Sequence, residues 1–285
     1  MPKFNTRAIK TDAVIDNSQH HIQAVEFLKK RVKKPEILMI LGSGLGSLAD
    51  EITSRVVISY KDIPYFKTST APGHIGRFVS GKLGGKNVLA MEGRLHVYEG
   101  CTPYESAFPV RVAAELGCKV LLTTCACGGV NTSYNVGDIC VITDHINFTH
   151  TGPMVGMDMK SFKERFIDMS TVYDKEYRAL AKKSGEKNKV NLVEGVYYYM
   201  PGPTYETPAE IKAIRTLGGD LVGMSLVHEV EMARLHEMRI LGLGLVTNMA
   251  AGILDQPLSE AEVIEEGNKA KGKFSKLIKE IIPKL

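Results

Sequence analysis

Two hydrophobic periods alternate along this chain, and that alternation limits the possible folds more than any other feature. "SQHHIQAVEFLKKRV" sets Ile22, Val25, Leu28 and Val32 on one helical stripe, with Ser18 as the expected cap and Pro35 closing the segment. "EILMILG" then reads as a buried strand. "KNVLAMEG", "KVLLTTCA", "DICVITDHIN", "NLVEGVYYYM", "DLVGMS" and "MRILGLGLVTN" read as further strands, rich in β-branched side chains. Helical patterns fall between several of them, in "YESAFPVRVAAELG", "TPAEIKAIRTLGG" and "HEVEMARLHE". From Ser259 onward, "LSEAEVIEEGNKAKGKFSKLIKEII" predicts a long amphipathic helix. Strands separated by crossover-length helices give an α/β fold, a twisted, mostly parallel or mixed sheet with helices on both faces. No repeat or change of composition divides the 285 residues, so a single domain over 1–285 is expected, with 1–17 as a less ordered N-terminal extension. Residues 148–168, "FTHTGPMVGMDMKSFKERFID", follow neither period; segments this long and irregular are functional loops or surface excursions.

Charge and cysteine usage narrow the function classes. The formal net charge is only +4, and the basic runs "KKRVKKPE" and "KKSGEKNK" have acids beside them, as solvated faces do, so no nucleic-acid partner is expected. The start of the chain has no apolar core of the secretory kind, and "ILGLGLVTNMAAGIL" is too short and interrupted to span a bilayer, so no membrane partner is expected either. The five cysteines, Cys101, Cys118, Cys125, Cys127 and Cys140, are odd in number and lack zinc-type spacing. They read as free thiols in a reducing cytoplasm, with Cys125 and Cys127 expected on opposite faces of one strand.

"LGSGLGSLAD" follows the first strand and looks like a nucleotide loop, but it fails both tests for one. A dinucleotide fingerprint needs a third glycine where Ser47 stands, and an acidic residue about 20 positions on. A triphosphate loop needs Gly-Lys-Ser/Thr where this chain has Ser-Leu-Ala. What remains is a strand-to-helix turn whose backbone N–H groups, with the Ser43 hydroxyl, suit one phosphate or carboxylate.

Ligands of α/β sheets sit beyond the carboxyl ends of the strands, so the polar residues there are the candidates. "EGRLHVYEG" delivers Arg94, His96 and Tyr98, "VGMS" delivers Met224 and Ser225, and "LVTN" delivers Asn248. "APGH" places His74 on a turn, and "TTCACGGVN" ends a strand in small residues that permit close backbone approach. Taken singly, such a histidine is more often structural and such an arginine more often a surface ion pair. Together, an arginine with two histidines and two serines makes a cradle for a phosphate dianion, the guanidinium gripping two oxygens at once.

In order and interval, "GSGLG", "PGH", "EGRLHVYEG", "GGVN", "GPTYETPAE", "VGMS" and "LVTN" resemble the motif series of the trimeric purine nucleoside phosphorylases over nearly the whole chain. The resemblance implies phosphorolysis of (deoxy)inosine or (deoxy)guanosine to free base and (deoxy)ribose 1-phosphate. It implies no metal and no cofactor, with inorganic phosphate as co-substrate. Phosphate would be held by Ser43, His74, Arg94, His96, the Ala126 N–H and Ser225. Tyr98 and Met224 match the ribose contacts; Tyr205, Glu206 and Asn248 match the base pocket. Its catalytic set would be His96, Glu206 and Asn248. Phe166 matches an aromatic that a neighbouring subunit lays against the ribose, which implies a homotrimer.

Two positions depart from the family pattern. Cys125 stands where asparagine is common, and activity is expected to survive because the backbone is the donor there. Glu260 sits where many members have a histidine on the sugar 5′-hydroxyl; a carboxylate there would accept from that hydroxyl and repel 5′-phosphates. The runner-up is the sister 5′-methylthioadenosine phosphorylase, disfavoured by Asn248, since adenine calls for an acidic side chain. A non-catalytic nucleoside-binding protein is the alternative outside enzymes.

Overall fold

The computed structural model describes residues 19–285; the expected Ser18 cap and the 1–17 extension lie outside them. The elements run α1 (His20–Lys29), β1 (Ile37–Leu41), β2 (Thr53–Ser59), β3 (Arg77–Leu83), β4 (Lys86–Glu92), α2 (Pro103–Leu116), β5 (Val120–Gly129) and β6 (Ile139–Asn147). They continue with α3 (Lys175–Asn188), β7 (Leu192–Tyr199), α4 (Pro208–Thr216), β8 (Leu221–Gly223), α5 (Val227–Leu235), β9 (Arg239–Met249) and α6 (Glu260–Ile281). Among the described residues no helix is long and apolar enough to cross a membrane.

All strands join one sheet in the order β2-β3-β4-β1-β5-β8-β7-β6-β9, and β5 also pairs with β9. The far half therefore closes on itself through β5, so the open sheet grades into a small barrel. Its pairings are mixed: β1 with β4 and β5, β5 with β9, and β7 with β6 and β8 are parallel, and the other four are antiparallel.

The two-residue period of a strand sorts the core into layers. Leu38 and Ile40 of β1 pack with Ala24, Val25 and Leu28 of α1 and with residues of α2 and α5. Ile37, Met39 and Leu41 face the other way, toward Tyr177 and Ala181 of α3 and Ala270, Phe274 and Ile278 of α6. Cys125 and Cys127 share the first layer, correcting the expectation of opposite faces; a spacing of two returns a side chain to the same side. Ile22 leaves its expected stripe and is 50 % exposed, Ala24 taking its place.

Helix starts follow the sequence closely. Thr102 and Thr207 each accept from the N–H three residues on, while Glu105 and Glu210 reach back to complete capping boxes before α2 and α4. Ser259 accepts from the Glu262 N–H and caps α6 as expected.

Candidate active site

The strand ends and the start of α6 enclose one cleft of ≈ 860 Å³, counting the space open to solvent. Ser43, from the turn after β1, and His74, Arg94, His96, Ala126 and Ser225 all line it. Tyr98, Tyr205, Glu206, Met224, Asn248 and Glu260 line it as well. Every residue singled out from the sequence reaches the cleft except Phe166, which is 87 % exposed and lies in the stretch between β6 and α3.

The glycine loop works differently from the expectation. After Ser43 the chain enters a short 3₁₀ turn (Gly46–Glu51) and no α-helix follows, so no helix N-terminus faces the cleft there. The Gly42 N–H donates to Thr124 Oγ1 at 2.9 Å, tying the loop to β5. Gly44, at φ 78°, is required by packing: a Cβ there would lie 2.6 Å from Cα of Gly267 in α6. The loop thus docks α6 and aims Ser43, whose hydroxyl sits 3.3 Å from His74 Nε2. Gly93 permits a similar approach, because a Cβ there would meet the His74 backbone at 3.0 Å.

Arg94 is 1 % exposed, and its bidentate partner is a carboxylate of the protein. Nε and Nη2 donate to Glu229 Oε1 and Oε2 at 2.9 and 3.0 Å, Nη2 also to Thr123 Oγ1, and Nη1 to Thr124 O at 2.8 Å. Only Nη1 remains directed at the site, 3.3 Å from Ser225 Oγ. The two-oxygen grip on an anion expected from the sequence is therefore corrected: Glu229, on α5, occupies that edge and offsets the buried charge.

Two histidines stand beside it with ring centroids 5.1 Å apart. Burial, and then the neighbouring His96, push His74 down to about 4, so its ring is neutral at pH 7. Its Nδ1 lies 3.0 Å from the Arg94 carbonyl and 3.1 Å from the Arg94 N–H, so either neutral tautomer has a backbone partner there while Nε2 faces Ser43. Burial also lowers His96, opposed by Glu99, whose Oε1 is 2.9 Å from Nδ1. Burial alone would raise Glu99, but hydrogen bonds from His96 and Thr70 bring it down to about 2. Its second oxygen accepts from Ser69, Thr70 and Ala71, pinning the loop that carries His74. Tyr98 stacks on His96 at 4.6 Å, and burial raises its phenol to about 12.

Ser225 is followed by strained backbone. Leu226 adopts φ 73°, ψ −47°, with the Val227 N–H donating to Ser225 O at 2.9 Å, a γ-turn with positive φ. For a branched residue such a turn stores roughly 1–3 kcal/mol, held here by burial of Leu226 and the α5 it begins.

Glu206, also in the cleft lining, is 8 % exposed and has no ion-pair partner among the described residues; burial raises its carboxyl above the usual range. The Asn248 amide is oriented by Thr247, whose hydroxyl donates to Oδ1 at 3.1 Å. Cys125 is fully buried and outside the cleft, whereas Cys127 lines it.

A family model described as the phosphorylase superfamily matches residues 36–283. The chain belongs to that superfamily. It is 49 % identical over 261 residues to purine nucleoside phosphorylase 1 of Bacillus subtilis (strain 168), covering 91 % of this chain and 96 % of that one. It is 40 % identical to the purine nucleoside phosphorylase of Bos taurus, covering 86 % and 88 %. The crystal structure of a Schistosoma purine nucleoside phosphorylase in complex with hypoxanthine superposes with a TM-score of 0.88 at 34 % identity, covering 94 % and 97 %. Within the superfamily the chain is an enzyme of the purine nucleoside phosphorylase group, a single α/β domain with that group's fold.

Several residues of this phosphorylase site went unread in the sequence. Glu99 lies inside the quoted block "EGRLHVYEG", three residues after His96, the spacing at which it forms its pair. Glu229 was legible only as part of a helix. Pro72, Thr247, Val263 and Ile264 line the cleft without chemistry that would mark them in advance. No group of three or more His, Cys, Asp or Glu among the described residues is placed to hold a metal ion.

Proposed function

We propose that this phosphorylase cleaves 6-oxopurine nucleosides, with phosphate held by Ser43, His74, His96, the Ala126 N–H and Ser225, and Arg94 supplying one donor. The observation that carries the reading is one cleft lined by neutral imidazoles and hydroxyls, by an unpaired buried carboxylate, Glu206, and by the oriented amide of Asn248. Glu206 accepts from the N1–H of inosine or guanosine, a hydrogen adenosine lacks. Asn248 donates to N7 or O6 as negative charge builds on the departing base. Donors aimed at developing charge contribute about 3–4 kcal/mol each.

Cleavage passes through an oxocarbenium-like sugar, stabilised by the phosphate anion on its open face. Phosphate is already ionised at neutral pH and needs no base; holding the reactants in line supplies much of the remaining acceleration. Tyr98 and Met224 position the ribose, Tyr205 packs on the base, and Glu260 accepts from the 5′-hydroxyl and repels 5′-phosphates. His96, Glu206 and Asn248 form the catalytic set, and no cofactor is required beyond phosphate as co-substrate. Phe166 completes the site of a neighbouring subunit in a homotrimer, consistent with the exposure of Phe148, Val155 and Phe166. The enzyme works in the cytoplasm, where its five free cysteines stay reduced.

A second reading, 5′-methylthioadenosine phosphorolysis, gains from Val263 and Ile264 in the cleft wall, an apolar surface for a methylthio group. A substrate panel with and without phosphate separates the two. Inosine and guanosine should release base only with phosphate, and Asn248→Asp should gain adenosine turnover while losing inosine kcat/KM by about 10²–10³-fold. If adenosine is the better substrate of the native enzyme, the assignment of Glu206 and Asn248 is wrong.

A further inference from the structure

A nucleoside bound in the cleft has three projections to place. With the base and the attacked C1′ face met by the residues named under Proposed function, the start of α6 supplies a wall for the C5′ substituent. That wall carries Glu260, Val263 and Ile264. Among the described residues Glu260 makes no hydrogen bond and no ion pair, whereas Glu262 beside it accepts from Gln256 at 3.2 Å. The charge of Glu260, whose side chain is exposed at the cleft, helps hold two lining phenols protonated, behind burial and Glu99 for Tyr98 and behind burial for Tyr205.

A helix N-terminus ordinarily attracts anions, carrying roughly half a positive charge. Here Ser259 caps the helix and both Glu260 and Glu262 sit in the first turn, so the local sum is negative. A free carboxylate bordered by apolar Val263, Ile264 and Pro72 is complementary to a short alkyl stem ending in a cation.

We propose that the wall formed by Glu260, Val263 and Ile264 is a 5′-subsite selective for nucleosides with a cationic 5′-substituent, the 5′-amino-5′-deoxy purine nucleosides. The inference rests on the reading of the cleft under Proposed function and extends it from excluding anions to preferring cations. The reaction is ordinary phosphorolysis: phosphate oxygen bonds to C1′, the glycosidic bond breaks with its electron pair going to the base, and the 5′-ammonium is unchanged. An aliphatic amine is charged at neutral pH.

The test compares kcat/KM for 5′-amino-5′-deoxyinosine and 5′-deoxyinosine, near-isosteric and differing in charge, at saturating phosphate. The native enzyme should favour the amine by about fivefold, the size of a partly exposed charge pair, and the preference should shrink as salt is raised. In Glu260→Gln the ratio should fall to about one, whatever that variant's absolute rate, because each ratio is taken within one protein. A native ratio of one or less, with inosine turned over normally, overturns the subsite. A ratio unchanged in Glu260→Gln overturns the assignment to Glu260. Failure to phosphorolyse inosine at all would instead remove the reading of the cleft, and this proposal with it.

Discussion

Glu206 is buried in the cleft with no cation paired to it among the described residues, and its carboxyl titrates above the ordinary value of 4.5. As an acceptor for a purine N–H it binds more strongly when ionised, because the bond is then charge-assisted. The KM for inosine should therefore be low above the raised pKa and climb as pH falls through it, starting at higher pH than an exposed glutamate would give. A pH profile of kcat/KM checks this, and Glu206→Gln should erase that inflection. Arg94 shows why residue type alone misleads: the sequence identified a guanidinium at a strand end but gave no view of Glu229, 135 positions away, which takes its two-pronged edge. The residues legible in advance were those carried by strand ends, because α/β topology fixes where those ends converge. Their supports, Glu99 and Glu229, come from a tight turn and a helix face, whose directions no periodicity reports.

Among the elements, α6 matters most to the site, since it carries Glu260, Val263 and Ile264 and is seated by the contact of Gly267 with Gly44. A Cβ on Gly267 would lie 2.9 Å from Gly44 Cα, so Gly267→Ala must push the helix outward. Overpacking of this kind costs about 1–3 kcal/mol. Thermal unfolding should show a Tm lower by several degrees, at about 2–4 °C per kcal/mol for a domain of comparable size, together with a raised nucleoside KM. A substitution silent in both would mean the glycine pair does not seat the helix. The C-terminal helix and its Ser259 cap were readable because a stripe at helical spacing and a capping residue agreed. β2, β3 and α3 were not. β2 is an edge strand with its first five residues exposed, so it shows no alternation. β3 is interrupted by Ser80 and Gly81. α3 buries only Tyr177, Ala181, Ser184 and Gly185, a stripe too thin and too polar to stand out, although Asp174 caps it recognisably.

At the scale of the whole molecule, the sheet closes through β5 and brings β8, β7, β6 and β9 into a ring, while the start of α6 meets residues that follow β1 and β4 in one cleft. Alternating periods gave the α/β class; the ring closure and mixed polarity depended on pairings between distant strands that local pattern does not encode. Phe166, exposed in the single chain, belongs in this account to a neighbour's site. If the proposed trimer forms, co-expressing Phe166→Ala with His96→Ala should restore activity above either variant alone, because mixed trimers would contain sites with both residues intact; no recovery would separate Phe166 from catalysis. The central claim is that the strand ends hold phosphate and purine side by side in that cleft. A crystal structure with phosphate and hypoxanthine tests it most directly. Phosphate oxygens should lie within hydrogen-bond distance of Ser43, His74, His96 and Ser225, and the base between Glu206 and Asn248. Phosphate bound elsewhere, or a base turned away from those two side chains, would contradict it.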